Sequence, residues 1–311
     1  MSFLTKGESD AYLRTYYAGE SLDGEDTFLL QGTMDGLRLA ATPTGEPLTC
    51  IELGCGPVLA WAMCAGVVAD RVWLAEASTS GREAVLDWLR GADGAFDWDK
   101  FAGHVAVLTA GTDGGAAAGG AGAGADGSTS SDALPAAPAP RATSGGVQAA
   151  LRGAVVAVLD ARLTPGGVDL THVASPGPEG WAGPAAAAPV TTAGGVATGA
   201  GIPERFRAVV MHSVADAITE TVEAFAELVR GAAALVAPGG VLVMSANTDV
   251  DEWRAEGKAF RQVRLSADQV TDAVVSAGLT VVMSRLRSKT DKHTTTETDN
   301  TFVLAARRPA E

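Results

Sequence analysis

Residues 48–58, "LTCIELGCGPV", run from an apolar stretch holding one acid, Glu52, straight into two glycines and a proline. This order predicts a buried strand, a turn through Gly54 and Gly56, and a helix entered at Pro57, whose fixed φ suits a first helical position. Glycines in such a turn let the backbone approach a ligand closely. A dinucleotide loop would carry a third glycine where this chain has Leu59, and a phosphate-binding P-loop would end in a Gly-Lys-Ser/Thr that is absent. Pyrophosphate binding is therefore disfavoured. The turn either holds a different nucleotide-like ligand or simply ends a strand.

The surrounding segments repeat the pattern. "TCIEL" (49–53), "RVWLAE" (71–76), "HVAVLT" (104–109), "AVVAVLD" (154–160), "RAVVMHS" (207–213) and "GVLVMSA" (240–246) are short, nearly continuous apolar runs, which suit a parallel sheet covered on both faces. Helical spacing fills the gaps, so the order predicts a doubly wound α/β fold. The last third gives a capped helix and two strands able to form an antiparallel edge hairpin. In such a sheet Glu76, 20 residues after Gly56, stands at the tip of the neighbouring strand, where a carboxylate can accept both ribose hydroxyls of an adenosine. Asp160, followed by Ala161, can accept from an adenine amine or merely form a turn. His212 and Ser213 end another strand at the same edge. Pro238, Gly239 and Gly240 need no ligand and read as a helix stop.

A net charge of −14 gives nucleic acid and anionic membranes no basic surface, and a small molecule is the expected partner. The three cysteines lack CxxC spacing and the four histidines lack HxxxH or HExxH spacing, so no metal site is predicted. Reduced thiols and the absence of an apolar span predict a cytoplasmic protein. Two Ala-, Gly- and Pro-rich tracts, 111–150 and 174–201, hold little bulky apolar surface and read as insertions into one domain spanning 1–311.

Several collinear segments resemble the family of nicotinamide, phenylethanolamine, indolethylamine and thioether methyltransferases: "AYLRTYYAGES", "CIELGCGPVLAWAMCA", "LDWLRGADGAFDWDKF", "MHSVADAI" and "LVAPGGVLVMSAN". The resemblance implies a Rossmann-like seven-stranded sheet, mostly parallel, under an N-terminal helical lid (1–47). It also implies an S-adenosylmethionine cofactor and methylation of a small acceptor, with an amine or pyridine nitrogen favoured, by a monomer. Cofactor contacts carried over are Tyr12, Tyr17, Glu52, Gly54, Gly56, Val58, Glu76, Ala77, Asp160, Ala161 and His212. Substrate contacts are Tyr12, Ser213, Asn247 and Trp253, and the acids expected to serve the reaction are Asp249 and Glu297, with Asp299 beside the latter. The post-strand acid of nicotinamide methylation is replaced here by Ala246 or Asn247. An NAD-dependent oxidoreductase and a non-catalytic cofactor-binding relative are the alternatives.

Overall fold

The computed structural model of the chain describes residues 5–40, 46–111, 143–164, 167–177, 180–182, 190–191, 197–198, 202–255, 258–288 and 300–310. Two helices come first, α1 (Lys6–Tyr17) and α2 (Gly24–Arg38). Thr5 and Glu8 close a capping box on α1, and Asp23 accepts the free N–H groups of Glu25 and Asp26 at the start of α2, which fixes where both helices begin. β1 (Thr49–Leu53) leads through the glycine turn to α3 (Ala60–Val68), β2 (Arg71–Glu76) and α4 (Thr79–Arg90). Next come α5 (Asp99–Ala110), α6 (Ser144–Ala154), β3 (Val155–Thr164), β4 (Gly167–Gly177), and the short β5 (Gly180–Ala182), β6 (Val190–Thr191) and β7 (Ala197–Thr198). The chain continues with β8 (Phe206–His212), α7 (Ala215–Ile218), α8 (Val222–Ala234) and β9 (Val236–Thr248). It closes with β10 (Glu252–Ala255), β11 (Lys258–Arg261), α9 (Ala267–Ser276), β12 (Thr280–Ser288) and β13 (Asn300–Arg307).

One sheet runs β12-β13-β9-β8-β1-β2-β3-β4-β7-β6. Its centre is the doubly wound, Rossmann-like core expected from the sequence: β3, β2, β1, β8 and β9 are parallel neighbours. β13 lies antiparallel between β9 and β12, which makes the C-terminal edge hairpin. Alternation along β1 sends Cys50 to a core shared with α2, α3, α5 and α6, and Ile51 and Leu53 to a second core shared with α8 and α9. Helices thus cover both faces. α2 docks where Gly32 and Gly36 leave no side chain between it and Val303 and Val243; an added Cβ would stand 2.8 Å from each valine.

Four local expectations change. Residues 104–109 belong to helix α5, not a strand: Phe101, Ala102, Val105 and Ala106 are buried at helical spacing, and a six-residue apolar run is too short to separate the two structures by pattern. Pro57 does not start the helix, which begins at Ala60 after Leu59. The tract 111–150 ends in ordered structure, because Thr143 caps α6 and Val147, Ala150, Leu151 and Ala154 form its buried face. The strand expected to end at Asp160 continues as β3 to Thr164, and β4 lies antiparallel to it and runs into the second tract, with Leu163 opposite Val168. The rest of both tracts lies mainly outside the described residues.

Candidate functional site

The parallel strands end on one edge of the sheet, and the order reverses between β1 and β8, the place where open α/β sheets bind ligands. A cavity of about 330 Å³ lies there. Tyr12, Tyr16 and Tyr17 of α1, the cap residue Asp23, and Glu25, Asp26 and Leu29 of α2 line it from the N-terminal helices. Gly54–Val58 and Trp61 come from the turn and α3, His212–Val214 and Ala217 from β8 and the segment after it, and Asn247, Glu252 and Gln262 complete the lining.

The turn is built around positive φ. Gly54 (+68°) and Gly56 (+57°) occupy the left-handed region, and a Cβ on Gly54 would fall 2.6 Å from Val214. The Gly54 and Cys55 N–H groups donate to the Ala75 carbonyl at 2.7 and 3.1 Å, tying the turn to β2. Glu76, at the β2 tip and 9% exposed, accepts the Gly56 N–H at 2.9 Å on one oxygen and the Ser78 N–H at 2.7 Å on the other. The carboxylate therefore holds the turn it was expected to accompany. Asp160 stands opposite Glu76 in register, with Ala161 buried beside it, and pairs with Arg82 at 3.1 Å. Arg82 also donates to the carbonyls of Glu76 and Ala77, so one guanidinium joins the tips of β2 and β3.

The N-terminal helices are held by aromatic packing and polar ties. The Tyr17 ring lies 5.7 Å from both Trp98 and Phe101, and Phe96 lies 4.7 Å from Trp98, so the "AFDW" segment supports the lid. Ser9 and Ser80 share a buried hydrogen bond at 3.0 Å between α1 and α4, and Thr301 donates to Glu25 at 2.8 Å. Burial raises the Tyr12 hydroxyl to about 12 and Tyr17 well above its usual value, so both stay protonated. Burial, aided by Asp23, lifts Asp26 to about 7.

His212 is fully partnered. The Thr33 hydroxyl donates to the Leu29 carbonyl at 2.7 Å, leaving its oxygen to accept from His212 Nε2 at 2.9 Å. Nδ1 must then accept from Ser245 at 3.0 Å, and Ser245 in turn accepts from Ser213 at 3.3 Å. Burial pushes the imidazole down to about 3, so it is a neutral element of the wall, 5.3 Å from the Trp61 ring.

Glu52 is buried beneath the turn rather than on the cavity wall, has an oxygen without a partner, and is raised to about 8 by desolvation. Its folded pKa exceeds the unfolded one, so its contribution to stability is complete below the ordinary carboxylate range and is lost as pH rises toward about 8. Glu52→Gln should raise Tm by several degrees at about pH 8.5 and by little at about pH 5. Equal gains in melts at both pH values would contradict a protonated Glu52.

Asp249, expected as a reacting acid, does not line the cavity. It is exposed, has φ +66°, and accepts from Asn300 at 2.9 Å. The acid that reaches the wall from this segment is Glu252. Trp253 pairs with Phe260 in the β10–β11 ribbon, and Glu297 and Asp299 lie outside the described residues. Sequence reasoning missed Asp23, Glu25, Asp26, Trp61, Glu252 and Gln262. The first three had a signal, a capping acid followed by two more acids, but nothing local told that the helix end would face a ligand.

S-adenosylmethionine fits these residues. Gly56 has no atom nearer than 3.9 Å where a side chain would stand, and each Glu76 oxygen keeps a lone pair beyond its backbone N–H. Among the described residues, the wall carries four acids and no Lys or Arg, a setting that suits a sulfonium.

No helix among the described residues is long and apolar enough to cross a membrane. None of the curated proteins matches the chain in sequence. Among solved structures it is similar to the N-methyltransferase NodS from Bradyrhizobium japonicum WM9 in complex with S-adenosyl-L-homocysteine, at 11% identity over 92% of this chain and 86% of that one, TM-score 0.43. It is also similar to an S-adenosylmethionine-dependent methyltransferase from Clostridium acetobutylicum ATCC 824, at 6% identity over 98% of this chain and 100% of that one, TM-score 0.47. The sequence model of the NNMT/PNMT/TEMT family matches residues 1–117 and 187–309, and the chain belongs to that family of S-adenosylmethionine-dependent methyltransferases.

Proposed function

We propose that the chain methylates a small-molecule acceptor at nitrogen. One observation carries this reading: Asp23, Glu25, Asp26 and Glu252 line a small lidded cavity whose described walls hold no Lys or Arg. Such a cavity favours a cationic or proton-bearing amine, and Trp61 with the lid tyrosines supplies aromatic faces. The bound cofactor supplies a methyl group already activated by positive sulfur. The protein's work is then orientation and exclusion of water. Held by the Gly54–Val58 turn and Glu76, the cofactor would supply that methyl group to the lone pair of the neutral acceptor nitrogen and would leave as an uncharged thioether. The proton shed by nitrogen passes to a wall carboxylate, and we assign to Glu252 the role expected of Asp249. Tyr12 and Tyr17 close the lid, Gly54, Gly56 and Val58 pass the cofactor, and Glu76 with Asp160 receives its nucleoside end.

The test pairs calorimetric titration of S-adenosylhomocysteine with a methyl-transfer assay using labelled S-adenosylmethionine across amines, pyridines and thioethers. Binding of S-adenosylhomocysteine and label on an amine or pyridine are expected. No binding, or label found on thioethers alone, would overturn the reading.

A further inference from the structure

We propose that Asp26 is the residue by which the cavity prefers the positively charged cofactor over S-adenosylhomocysteine, the neutral thioether left after methyl transfer. The inference rests on the methyl-transfer reading above for its ligands and does not depend on the acceptor. Asp26 lies in the first turn of α2, lines the cavity and is 9% exposed, whereas Asp23, Glu25 and Glu252 on the same lining are half-buried. Asp23 turns one oxygen to the Glu25 and Asp26 N–H groups, at 2.8 and 2.7 Å, and Glu25 accepts from Thr301. Among the described residues no side chain donates to the Asp26 carboxylate, and the backbone N–H near it is that of Asp23. Its oxygens are not sealed inside the protein, as one oxygen each of Glu52 and Asp216 is, so a ligand in the cavity can reach them.

The groups around Asp26 leave it short of positive charge. Asp23 and Glu25 push its pKa up from the same helix end, Lys100 of α5 pulls it down, and Tyr12 and Tyr17 of α1 stay protonated and uncharged. Lys100 is partly spent on the Gly19 and Ser21 carbonyls, at 2.7 and 3.4 Å. His212, on the β8 part of the lining, is neutral. Burial therefore wins, and Asp26 keeps its proton up to about pH 7. A sulfonium bound in a cavity of about 330 Å³ stands within a Debye length of this carboxyl, in a medium less polar than water. Ionised Asp26 thus favours the cofactor, while the thioether offers it no charge. Below about pH 7 Asp26 must give up a proton when the cofactor binds, and above it the preference is complete.

The experiment titrates the full chain with S-adenosylmethionine, S-adenosylhomocysteine and sinefungin, a non-reacting analogue that carries an ammonium in place of the methyl sulfonium. Calorimetry at about pH 6.5 in two buffers of different ionisation heat counts the protons released. Both cations should release about half a proton more than S-adenosylhomocysteine, and the preference for S-adenosylmethionine should grow about tenfold from about pH 5.5 to about pH 8.5. Asp26→Asn should abolish both differences, and Asp26→Glu should keep them. The asparagine variant also subtracts Glu52 and Asp216, which burial raises to about 8 and about 6 and which titrate in both proteins. Equal proton release by the three ligands, or an excess that survives Asp26→Asn, overturns the role of Asp26 and leaves the methyltransferase reading intact. Failure to bind any of the three would overturn both.

Discussion

Glu76→Gln weakens S-adenosylhomocysteine binding by about a hundredfold while costing only a few degrees in Tm. The Glu76 oxygens each accept one backbone N–H, from Gly56 and Ser78, and each keeps a lone pair for the ribose diol of the cofactor. A carboxamide replaces one of those oxygens with a donor. That NH₂ would face either the Gly56 or the Ser78 N–H, donor against donor, and would lose one charge-assisted bond to the ribose. The lost ribose bond, about 2.7 kcal/mol for a charge-assisted bond, corresponds to the stated factor, and the lost backbone bond, made with and without ligand, accounts for the fall in Tm. The turn itself survives, because Gly54 and Cys55 remain tied to the Ala75 carbonyl. Calorimetric titration beside a thermal melt checks both halves. A Kd within about threefold of wild type would mean that Glu76 only braces the turn and that the ribose lies elsewhere.

Glu76 also marks what a one-dimensional reading can reach. Its distance from Gly56 and its place at a strand end are local facts, so its position at the strand tip is legible in the sequence, whereas its bonds to the Gly56 and Ser78 N–H groups are not. β1, β2, β8 and β9 were legible for the same reason: buried strands need apolar runs, and glycine turns punctuate them. Helix α5 was not, since "HVAVLT" satisfies both periods and only its packing beside α3 and α6 decides. The acids of the cavity were hidden differently. Asp23 reads as a helix cap, which it is, and it faces the site because Gly32 and Gly36 let α2 settle on the sheet. Arg82 binds Asp160 across 78 residues, a contact that follows from strand order rather than from any motif. Asp249 and Glu252 differ by three positions, and only the path of the chain, which turns through positive φ at Asp249, separates the exposed acid from the one on the wall.

Gly66→Ala destabilises the protein by about 2 kcal/mol, a fall of roughly 4–8 °C in Tm, although alanine is the better helix former. A Cβ at this position of α3 would stand 2.6 Å from Leu151 Cα, 2.7 Å from its Cβ and 2.9 Å from its backbone nitrogen. Backbone atoms of α6 cannot rotate away as a side-chain end can, so the two helices must separate and give up contacts among Val147, Leu151 and the α3 core. Gly153→Ala, on α6 itself, is the control: nothing lies within 4 Å of its added methyl, and the gain in helix propensity should raise stability by about 0.5–1 kcal/mol. Opposite signs from the same substitution in two packed helices isolate the close crossing. Two stabilising changes in thermal melts would mean that α6 does not dock on α3. The position matters beyond stability because α6 runs directly into β3, with the Val155 N–H donating to the Leu151 carbonyl. Displacing α6 therefore moves the strand whose tip presents Asp160 to Arg82, and Gly66→Ala should also weaken S-adenosylhomocysteine binding by a few-fold in the folded fraction, whereas Gly153→Ala should not.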